Sequence, residues 1–453
     1  MSTLSDAGIY VILDLALPLN GSINRAEPSW DVSLLNLYLS TVDAFVKYDN
    51  LLAFSVGNEV VTQASNTEAA PFIKAAARDV KAYLKSINKS NIMLTYASTD
   101  GPAGLTSWRD QLANYLTCGG EEESIDMYGL NSYAWCGNSS YSASGYASLT
   151  TELASLPIPA YLSEFGCVNI PGGSTARPWT EVAALLSAPM TDTWSGGVAF
   201  SYFQQAPNTP NYGLTTVSGS GSQLTLTPDF DRLRAQYASA SPPTGAGPTS
   251  NSAYPSCPSG DASSSFRASG NLPPTPNSKL CDCAQQNAWT CLATPVTANQ
   301  PAEIGQLLGS ACSQLSQRSN ANCLPIAANG TTGTYGNYSF CSPVQRLDWA
   351  FSAYFDSQNR TATACNFGGA AARSARTGAL TVTAAQEAAQ TCLQQDSKGT
   401  FTPTSPTPGG PATSTTSRPG SGSGGGGSSS AASLLPATGL VSLFGLLALA
   451  LIH

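Results

Sequence analysis

Short apolar runs alternate with longer amphipathic segments over residues 8–203 of the chain. The apolar runs are "GIYVILDLA", "LLAFSVGNE", "NIMLTYAS", "IDMYGLNSYAW", "IPAYLSEFG" and "GGVAFSYF". Between the first two runs, "DVSLLNLYLSTVDAFVKY" places apolar residues on one helical face, namely Leu34, Leu35, Tyr38, Leu39, Val42 and Phe45. Strand-like runs separated by helix-length segments are typical of parallel βαβ units. The pattern therefore predicts six parallel strands joined by helices.

Two of these runs end in a carboxylic acid, Glu59 in the second run and Glu164 in the fifth. One explanation of the first acid is a helix start, with Asn58 as the N-cap and Glu59 favoured by the helix dipole. The other is catalytic, because barrel enzymes carry their chemistry at the C-terminal ends of parallel strands. The second acid, three strands later, favours catalysis. Two carboxylates are the groups that cleavage of a glycosidic bond requires.

The six predicted strands are two short of the eight that close a (β/α)₈ TIM barrel. If they are strands three to eight, Glu59 and Glu164 lie at the ends of strands four and seven, which face each other across the barrel mouth. The N-terminal "MSTLSDAGIYVILDL" also lacks the pattern of a secretory signal. We therefore expect an α/β fold, a TIM barrel whose first two βα units and signal peptide are missing from this sequence.

The composition changes near residue 240 and near residue 396, which indicates two folded units and a tail. The chain has 28 acidic and 20 basic residues, a net charge of −8, which argues against nucleic acid as a partner. Because only 11% of residues are charged, a neutral polar ligand fits better. The only histidine is His453, which excludes histidine-dependent catalysis and histidine-ligated metals. We expect no cofactor and no metal, and carboxylates remain as the general acids and bases.

Cysteines and glycosylation sequons both favour an oxidising, secretory compartment. The twelve cysteines are Cys118, Cys136, Cys167, Cys257, Cys281, Cys283, Cys291, Cys312, Cys323, Cys341, Cys365 and Cys392. The N-x-Ser/Thr sequons begin at Asn20, Asn88, Asn138, Asn329, Asn337 and Asn359. A zinc site at Cys281-x-Cys283 is the alternative for part of the cysteine set.

The C-terminus has the pattern of a glycosylphosphatidylinositol (GPI) attachment signal. Residues 396–433 form a stalk rich in Ser, Thr, Pro and Gly, and residues 434–453 form an apolar tail. The uninterrupted apolar core of the tail, residues 440–452, is shorter than the roughly 20 residues of a spanning helix. A short transmembrane tail is the alternative. We expect a lipid-anchored protein at the cell surface.

Several motifs resemble, in this order, the fungal β-1,3-glucanosyltransferases of glycoside hydrolase family 72. They are "GIYVILDL", "SINR", "FSVGNEV", "YGLNSYAWCG", "YLSEFGC" and "SGGVAFSYFQ", and the resemblance covers residues 1–257. It implies a (β/α)₈ barrel with Glu59 as the acid/base and Glu164 as the nucleophile. In a retaining mechanism the two carboxyl groups lie about 5 Å apart. We expect Glu59 to be protonated and Glu164 to be ionised at rest.

The same resemblance implies contacts with the substrate. Asn58 is expected to bond a sugar hydroxyl near the reacting carbon, and Tyr133 to donate a hydrogen bond to the nucleophile. Arg25, in "SINR", is a further substrate-binding candidate. Asp14, at the end of the first strand, matches a sugar-contacting acid of the family, but it fits a cap of the next helix equally well.

Aromatic residues near the predicted mouth have two explanations, stacking on sugar rings and packing in the core. For Tyr202, after the last strand, we favour stacking, and for its neighbour Phe203 we favour the core. The tryptophans Trp135, Trp179 and Trp194 fit either explanation.

Four of the cysteines fall in the barrel region, and the resemblance implies how they pair. It joins Cys136 to Cys167 and Cys118 to Cys257, although the sequence itself is compatible with other pairings. The remaining eight lie within residues 280–395, where "CLPIAANGTTGTYGNYSFCSPVQRLDWAFSAYFDSQNRTATACNFGG" resembles the X8-type carbohydrate-binding module. Eight cysteines allow 105 pairings, so none is assigned here.

The second unit is expected to be a small, disulfide-rich and mainly helical module behind a linker, residues 258–279. Its candidate glucan-binding aromatics are Tyr335, Tyr338, Trp349 and Tyr354. Trp349 and Phe351 fit a small core equally well. A module that only buttresses the barrel is the alternative.

The leading functional hypothesis is a cell-surface transglycosylase. It cuts an internal β-1,3-glucan bond and transfers the new reducing end to another β-1,3-glucan chain. Its partners are the donor and acceptor glucans and the membrane, through a GPI lipid, and the chain is expected to be a monomer. A β-1,3-glucan hydrolase that uses the same two acids is the closest alternative. A non-catalytic wall-binding protein is the third, because six strands leave open edges.

Overall fold

The structure is a computed structural model. It describes residues 1–17, 21–101, 107–173, 176–204, 210–217, 223–244, 254–258, 260, 263–318, 321–396 and 401–406. The sequon at Asn20, the stalk beyond residue 406 and the apolar tail lie outside the described residues. Within the part that is described, no helix combines the length and the apolar character needed to cross a membrane.

Six parallel strands form one sheet in the order β1-β2-β3-β4-β5-β6, as the apolar runs predict. The strands are β1 (Val11–Asp14), β2 (Leu51–Asn58), β3 (Met93–Thr99), β4 (Met127–Asn131), β5 (Ala160–Phe165) and β6 (Trp194–Ala199). Each predicted run overlaps one of them, although β3 ends one residue after its run and β6 begins two residues before its run. Among the described residues, β1 and β6 are the two edges of the sheet, which is a curled parallel half-barrel.

Helices connect consecutive strands and cover the sheet. They are α1 (Ser2–Asp6), α2 (Val32–Phe45), α3 (Ala70–Ser86), α4 (Ser107–Thr117), α5 (Tyr146–Leu153), α6 (Glu181–Leu185) and, after the ribbon of β7 (Thr215–Val217) and β8 (Leu224–Leu226), α7 (Pro228–Ser239). Helix α2 follows the predicted apolar stripe, with Tyr38 and Val42 fully buried. It begins after Asp31, whose side chain accepts hydrogen bonds from the first free backbone N–H groups of the helix.

The second unit is mainly helical and is closed by disulfides. Its elements are α8 (Ser278–Asn287), β9 (Cys291–Ala293), α9 (Pro295–Ala298), α10 (Pro301–Arg318), β10 (Ala328–Asn329), β11 (Thr334–Tyr335), α11 (Pro343–Ser357), β12 (Ala371–Arg373) and α12 (Val382–Asp396). The disulfides are Cys281–Cys341, Cys283–Cys392, Cys291–Cys365 and Cys312–Cys323. Because Cys281 and Cys283 both have cysteine partners, the zinc alternative is wrong. Phe351 is fully buried in the core of this module, and Trp349 packs partly buried against it.

The module packs directly against the sheet domain at the start of α2. The backbone N–H of Val32 donates a hydrogen bond of 2.9 Å to the carbonyl of Phe340. Arg346 pairs with Asp31 at 3.5 Å, and both side chains are largely buried. The residue that caps α2 is thus also an ion-pair partner of the module.

A second contact places the β10–β11 ribbon on helix α3. The ring of Tyr335 meets that of Phe72 edge-on, with centroids 5.9 Å apart. Gly330 lies so close to the sheet domain that a Cβ atom there would be 2.0 Å from the backbone oxygen of Glu68. Tyr338 is buried inside the module against Trp289. The prediction that Tyr335 and Tyr338 form an open glucan-binding face is therefore wrong, because packing uses both rings.

The segment that composition indicates as a linker also packs against the sheet domain. Phe266 is fully buried in the sheet-domain core, and its ring lies 5.4 Å from that of Tyr115. The hydroxyl of Tyr115 donates to the carbonyl of Ser269, and Arg78 donates to the carbonyl of Pro273 at 2.9 Å. These contacts join the two units along helices α3 and α4.

We expect Gly330→Ala to weaken the docking of the module. The added methyl group overlaps the backbone of Glu68, which cannot retreat as a flexible side chain would, so the cost should be about 1–3 kcal/mol or more. Differential scanning calorimetry should show a lower unfolding temperature and a separate transition for the module.

Gly305→Ala is the matched control, because nothing lies within 4 Å of the added methyl group in helix α10. It should leave a single transition and stabilise the helix by up to about 1 kcal/mol. Equal behaviour of the two variants would contradict a tight interface at Gly330.

Candidate active site

The acid-bearing end of β2 is an abrupt strand end rather than a helix start. Strand β2 ends at Asn58, and the next helical turn begins at Ala64 with Gln63 as its N-cap. The N-cap explanation of Asn58 is therefore wrong. At this C-terminal end of β2, Asn58 is exposed and Glu59 is half-buried.

The backbone of Glu59 lies in the left-handed region, with φ at 49°. Such a conformation costs a residue with a side chain about 1–3 kcal/mol and is found most often at functional sites. Two hydrogen bonds hold it: the N–H of Glu59 donates to Ala97 at 2.8 Å, and Arg25 donates to the carbonyl of Glu59 at 2.7 Å. Arg25 also bonds the hydroxyl of Thr62 at 3.2 Å. This predicted substrate-binding residue thus fixes the backbone that carries Glu59.

The side chain of Asn131, at the end of β4, connects the two halves of the site. Its amide nitrogen donates to Oδ1 of Asn58 and to Oε1 of Glu59, both at 3.0 Å. Its amide oxygen accepts a 2.7 Å hydrogen bond from Ser163, the residue before Glu164. Asn131 is buried, so these bonds form away from competing water.

Glu164 lies next to Asn131 in the parallel register of β4 and β5. The hydroxyl of Tyr133 donates a 2.5 Å hydrogen bond to Oε2 of Glu164. The N–H of Ser132 donates to the backbone oxygen of Glu164 at 2.9 Å. The segment after β4 therefore holds both the backbone and the carboxyl group of Glu164.

The pKa of Glu164 is raised to about 7, chiefly because burial removes water from the carboxyl group; the hydrogen bond from Tyr133 opposes this rise, and the charges of Glu59 and Asp14 add to it. Burial is likewise the main reason that the pKa of the Tyr133 hydroxyl is raised, so the hydroxyl remains a donor. We expected Glu164 to be ionised at rest, but the loss of water around its carboxyl group favours the protonated form. Sequence reasoning included the repulsion between the acids but not the loss of water around Glu164.

Asp14 belongs to the same site. It is the last residue of β1, and Asp31 rather than Asp14 caps the next helix, so the helix-cap explanation is wrong. Burial raises the pKa of Asp14, and a hydrogen bond with Ser55 lowers it. The charge of Asp14 contributes to the raised pKa of Glu164, but less than burial and less than the charge of Glu59.

The structure separates the aromatic candidates. The three tryptophans are packing residues, each less than 5% exposed: Trp135, Trp179 and Trp194. Tyr202 is half-buried after β6, with its ring against Phe203. Phe203 is 42% exposed, so its expected place in the core is wrong. Strand β6 ends at Ala199, so Phe203 lies beyond the strand.

Two side chains that sequence analysis did not single out lie in this site, Asn131 and Tyr212. The ring of Tyr212 lies 5.5 Å from that of Tyr133 and 5.1 Å from that of Phe200. Asn131 stands in the quoted motif "GLNSY", where its position at the strand end was an available signal. Tyr212 lies in a loop with no periodic pattern, so the sequence offers no comparable signal.

Disulfides tie the segments around the site. Cys136 is bonded to Cys167, which links the segment after β4 to the segment after β5, and Cys118 is bonded to Cys257. These are the pairs that the resemblance implies. Among the residues described, no group of three or more His, Cys, Asp or Glu side chains could hold a metal ion.

Known proteins are similar in sequence to this chain. A 1,3-beta-glucanosyltransferase of Arthroderma benhamiae is 40% identical over 378 residues, which are 82% of this chain and 65% of that protein. The 1,3-beta-glucanosyltransferase gas2 of Schizosaccharomyces pombe is 38% identical over 82% of this chain and 77% of its own length. The chain therefore spans slightly less than two thirds of the Arthroderma relative.

A solved structure and two family models agree with these relatives. Saccharomyces cerevisiae Gas2p in complex with laminaripentaose superposes with a TM-score of 0.72 and 35% identity, covering 83% of this chain and 80% of that one. The family model described as X8 domain matches residues 289–372, and the model described as Glucanosyltransferase matches residues 1–241. The chain belongs to the glucanosyltransferase family, glycoside hydrolase family 72.

Proposed function

We propose that this chain is a β-1,3-glucanosyltransferase that elongates cell-wall glucan. The observation that carries the proposal is the pair of acids at the ends of β2 and β5, each with its own hydrogen-bond donor. Asn131 donates to Glu59 and Tyr133 donates to Glu164. Two carboxyl groups at the C-terminal ends of strands in one parallel sheet fit retaining glycoside chemistry.

In the first step, Glu164 attacks the anomeric carbon of an internal β-1,3-glucan bond while Glu59 gives its proton to the leaving oxygen. The glycosidic bond breaks, a covalent bond to Glu164 forms, and the fragment with the old reducing end leaves. In the second step, Glu59 takes the proton of a 3-hydroxyl group on an acceptor glucan, whose oxygen displaces Glu164. The new glycosidic bond has the same β configuration, and both acids return to their starting states.

Asn58 and Tyr133 have supporting roles in this proposal. Asn58 bonds a sugar hydroxyl beside the reacting carbon, and the exposure of its side chain supports this role. Tyr133 keeps the nucleophile in line and stabilises its ionised form. Asp14, Arg25 and Tyr202 contribute to substrate binding, Arg25 through the backbone of Glu59.

The second unit is proposed to bind glucan as an X8-type module. A cavity of about 490 Å³ between α10 and the end of α11 supports this role. It is lined by the aromatic rings of Tyr354 and Phe367 and by the amides of Gln314 and Gln358, among others. Aromatic faces with amide groups around them are suited to sugar rings.

The proposed division of the chain assigns residues 1–257 to the catalytic domain, residues 258–279 to the connecting segment and residues 280–395 to the carbohydrate-binding module.

We further propose that the protein is a monomer at the cell surface, linked to the membrane through a GPI lipid. The stalk and apolar tail of the sequence support this location. Six disulfides among the described cysteines fit an oxidising compartment. Hydrolysis by the same acids differs only in the acceptor, water or sugar.

Incubation with laminari-oligosaccharides should give products both longer and shorter than the starting length, as chromatographic sizing measures. Glu164→Gln should abolish turnover, because it removes the nucleophile. Glu59→Gln should lose activity on the natural substrate but retain activity on substrates whose leaving group needs no protonation.

The outcomes separate the alternatives. Shorter products alone would identify a hydrolase. Equal loss by both variants on natural and activated substrates would overturn the assignment of roles to Glu59 and Glu164.

Tyr133→Phe should move the acid limb of the kcat/KM profile to higher pH by about 1–2 units, because hydrogen bonds to charged groups contribute about 1.5–3 kcal/mol. The hydrogen bond lowers the pKa of Glu164 from a value that burial has raised. Without it, protonation inactivates the nucleophile at a higher pH. The measurement is kcat/KM against pH.

Tyr115→Phe is the control for this profile. It removes a buried hydrogen bond to Ser269, remote from Glu164, and should lower stability without moving the acid limb. An unchanged acid limb in Tyr133→Phe would mean that the bond to Glu164 is not formed in the working enzyme.

The raised pKa of Glu164 also predicts a dependence of stability on pH. The pKa is about 7 in the folded chain against 4.5 in the unfolded chain, so the folded state binds the proton more tightly. Stability should fall as pH rises from about 4.5 to about 7. Glu164→Gln removes this loss and should be more stable than wild type by up to about 3 kcal/mol at pH 8.

Denaturant unfolding at several pH values measures this difference, which should shrink towards zero near pH 4. Glu122→Gln is the control, since Glu122 is an exposed partner of Lys85. It should show no gain at pH 8. A Glu164→Gln gain that is equal at all pH values would contradict a buried, titrating nucleophile.

A further inference from the structure

One buried guanidinium group lies beneath the nucleophile side of the site. The side chain of Arg177 is 1% exposed and forms an ion pair with Asp229, which is 2% exposed, at 2.5 Å. Its Nε donates to Asp229 at 2.8 Å. Asp229 belongs to the first turn of α7.

The remaining donors of Arg177 all meet backbone carbonyl groups. Nη1 donates to Gly166 at 3.1 Å and to Phe200 at 2.7 Å, and Nη2 donates to Tyr212 at 2.8 Å. Together with the two contacts to Asp229, these bonds use all five N–H groups of the guanidinium.

The three carbonyl groups belong to the three segments that surround the nucleophile. Gly166 follows Glu164 by two residues, and Phe200 follows the last residue of β6. The rings of Phe200 and Tyr212 both pack against Tyr133. Tyr133 in turn donates to Glu164. Arg177 therefore contacts the segment that follows Glu164 and the two segments whose rings pack against Tyr133.

Packing fixes the guanidinium in place. It stacks on Trp179 at 4.1 Å from the ring centroid. Gly166 has φ at 114°, and a Cβ there would lie 2.5 Å from the same ring. Trp179 and Arg232 also donate to Oδ1 of Asp229, at 3.2 and 2.9 Å. A planar fork with five donors is required here, and lysine has only three.

We propose that Arg177 is a positioning residue that holds the end of β5, the exit of β6 and the Tyr212 loop in register around Glu164. The inference rests on the proposed function, since it assigns a role in that reaction. Misplacement of reacting groups by about 1 Å can cost about a hundredfold in rate. Because the Arg177 side chain joins three backbone segments, it prevents misplacement of the residues that these segments position around Glu164.

Arg177→Lys in the full chain keeps the positive charge beside Asp229 but loses the planar guanidinium group, which donates to the three carbonyl groups. Measured well below its unfolding temperature, it should lower kcat about tenfold to a hundredfold with a smaller change in KM. Arg78→Lys is the matched control. Arg78 also pairs with an aspartate, Asp79, and donates to a backbone carbonyl, but on α3 away from Glu164. It should lower stability and leave kcat unchanged.

A second measurement separates positioning from general stability. In the Tyr212→Ala background, where one of the positioned rings is absent, the loss caused by Arg177→Lys should be smaller by at least about threefold. Arg78→Lys should show no such coupling. If Arg177→Lys does not fold, Asp229→Asn replaces it, with a fall in kcat of about threefold to tenfold expected for a weakened buried charge pair.

Hydrogen–deuterium exchange gives a test that needs no substrate. Peptides containing Gly166, Phe200 and Tyr212 should exchange faster in Arg177→Lys than in wild type and in Arg78→Lys. If the wild-type chain lacks activity on laminari-oligosaccharides, the proposed function fails while this result still decides the role of Arg177. Three results would each overturn the inference. They are a kcat of Arg177→Lys equal to that of wild type, an equal loss of kcat from Arg177→Lys in the wild-type and Tyr212→Ala backgrounds, and unchanged exchange in these peptides.

Discussion

A single buried amide, the side chain of Asn131, is the interaction on which the site depends. It donates to Asn58 and Glu59 at the end of β2 and accepts from Ser163 beside Glu164. Strands β2 and β5 are not neighbours in the sheet, so the backbone ladders connect the two acids only indirectly, through β3 and β4. Asn131 on the strand between β3 and β5 supplies a side-chain link. An amide suits this place because it offers both donors and acceptors without adding a third charge.

The rest of the fold restricts how far this link can move. Arg25 and Ala97 hold the left-handed backbone of Glu59, and Arg177 holds the segments around Glu164. The C-terminal module acts at a greater distance, through the cap of α2 and through Gly330 against Glu68. Glu68 follows the loop that leaves Glu59, so the module supports the acid side of the sheet while Arg177 supports the nucleophile side. Each acid thus has contacts of its own in addition to the link that Asn131 provides.

Much of the fold follows from the sequence, and the reasons for the misses are physical. Strands and helices depend on local periodicity, so all six strands and the buried face of α2 are predicted from their apolar runs. Glu59, Glu164 and Tyr133 follow from short motifs. Tyr212, Tyr335 and Phe203 were missed or misplaced because their surroundings come from residues remote in the chain, such as Phe72 for Tyr335. Arg177 has no motif, and its role appears only when three distant carbonyl groups converge on it.

The two acids, Glu59 and Glu164, have the least favourable local environments in the site. Glu164 is half-buried, and the loss of water around its carboxyl group opposes ionisation, while Glu59 has a backbone conformation that a residue with a side chain adopts at a cost. Neither feature stabilises the fold, and both concern the two acids to which we assign the proposed reaction. Conformations of this kind persist only where the surroundings over-determine them. The fully used guanidinium of Arg177, the Asn131 amide and the Cys136–Cys167 disulfide provide that over-determination. These contacts hold the segments around both acids, so the left-handed backbone of Glu59 and the raised pKa of Glu164 persist in the folded chain.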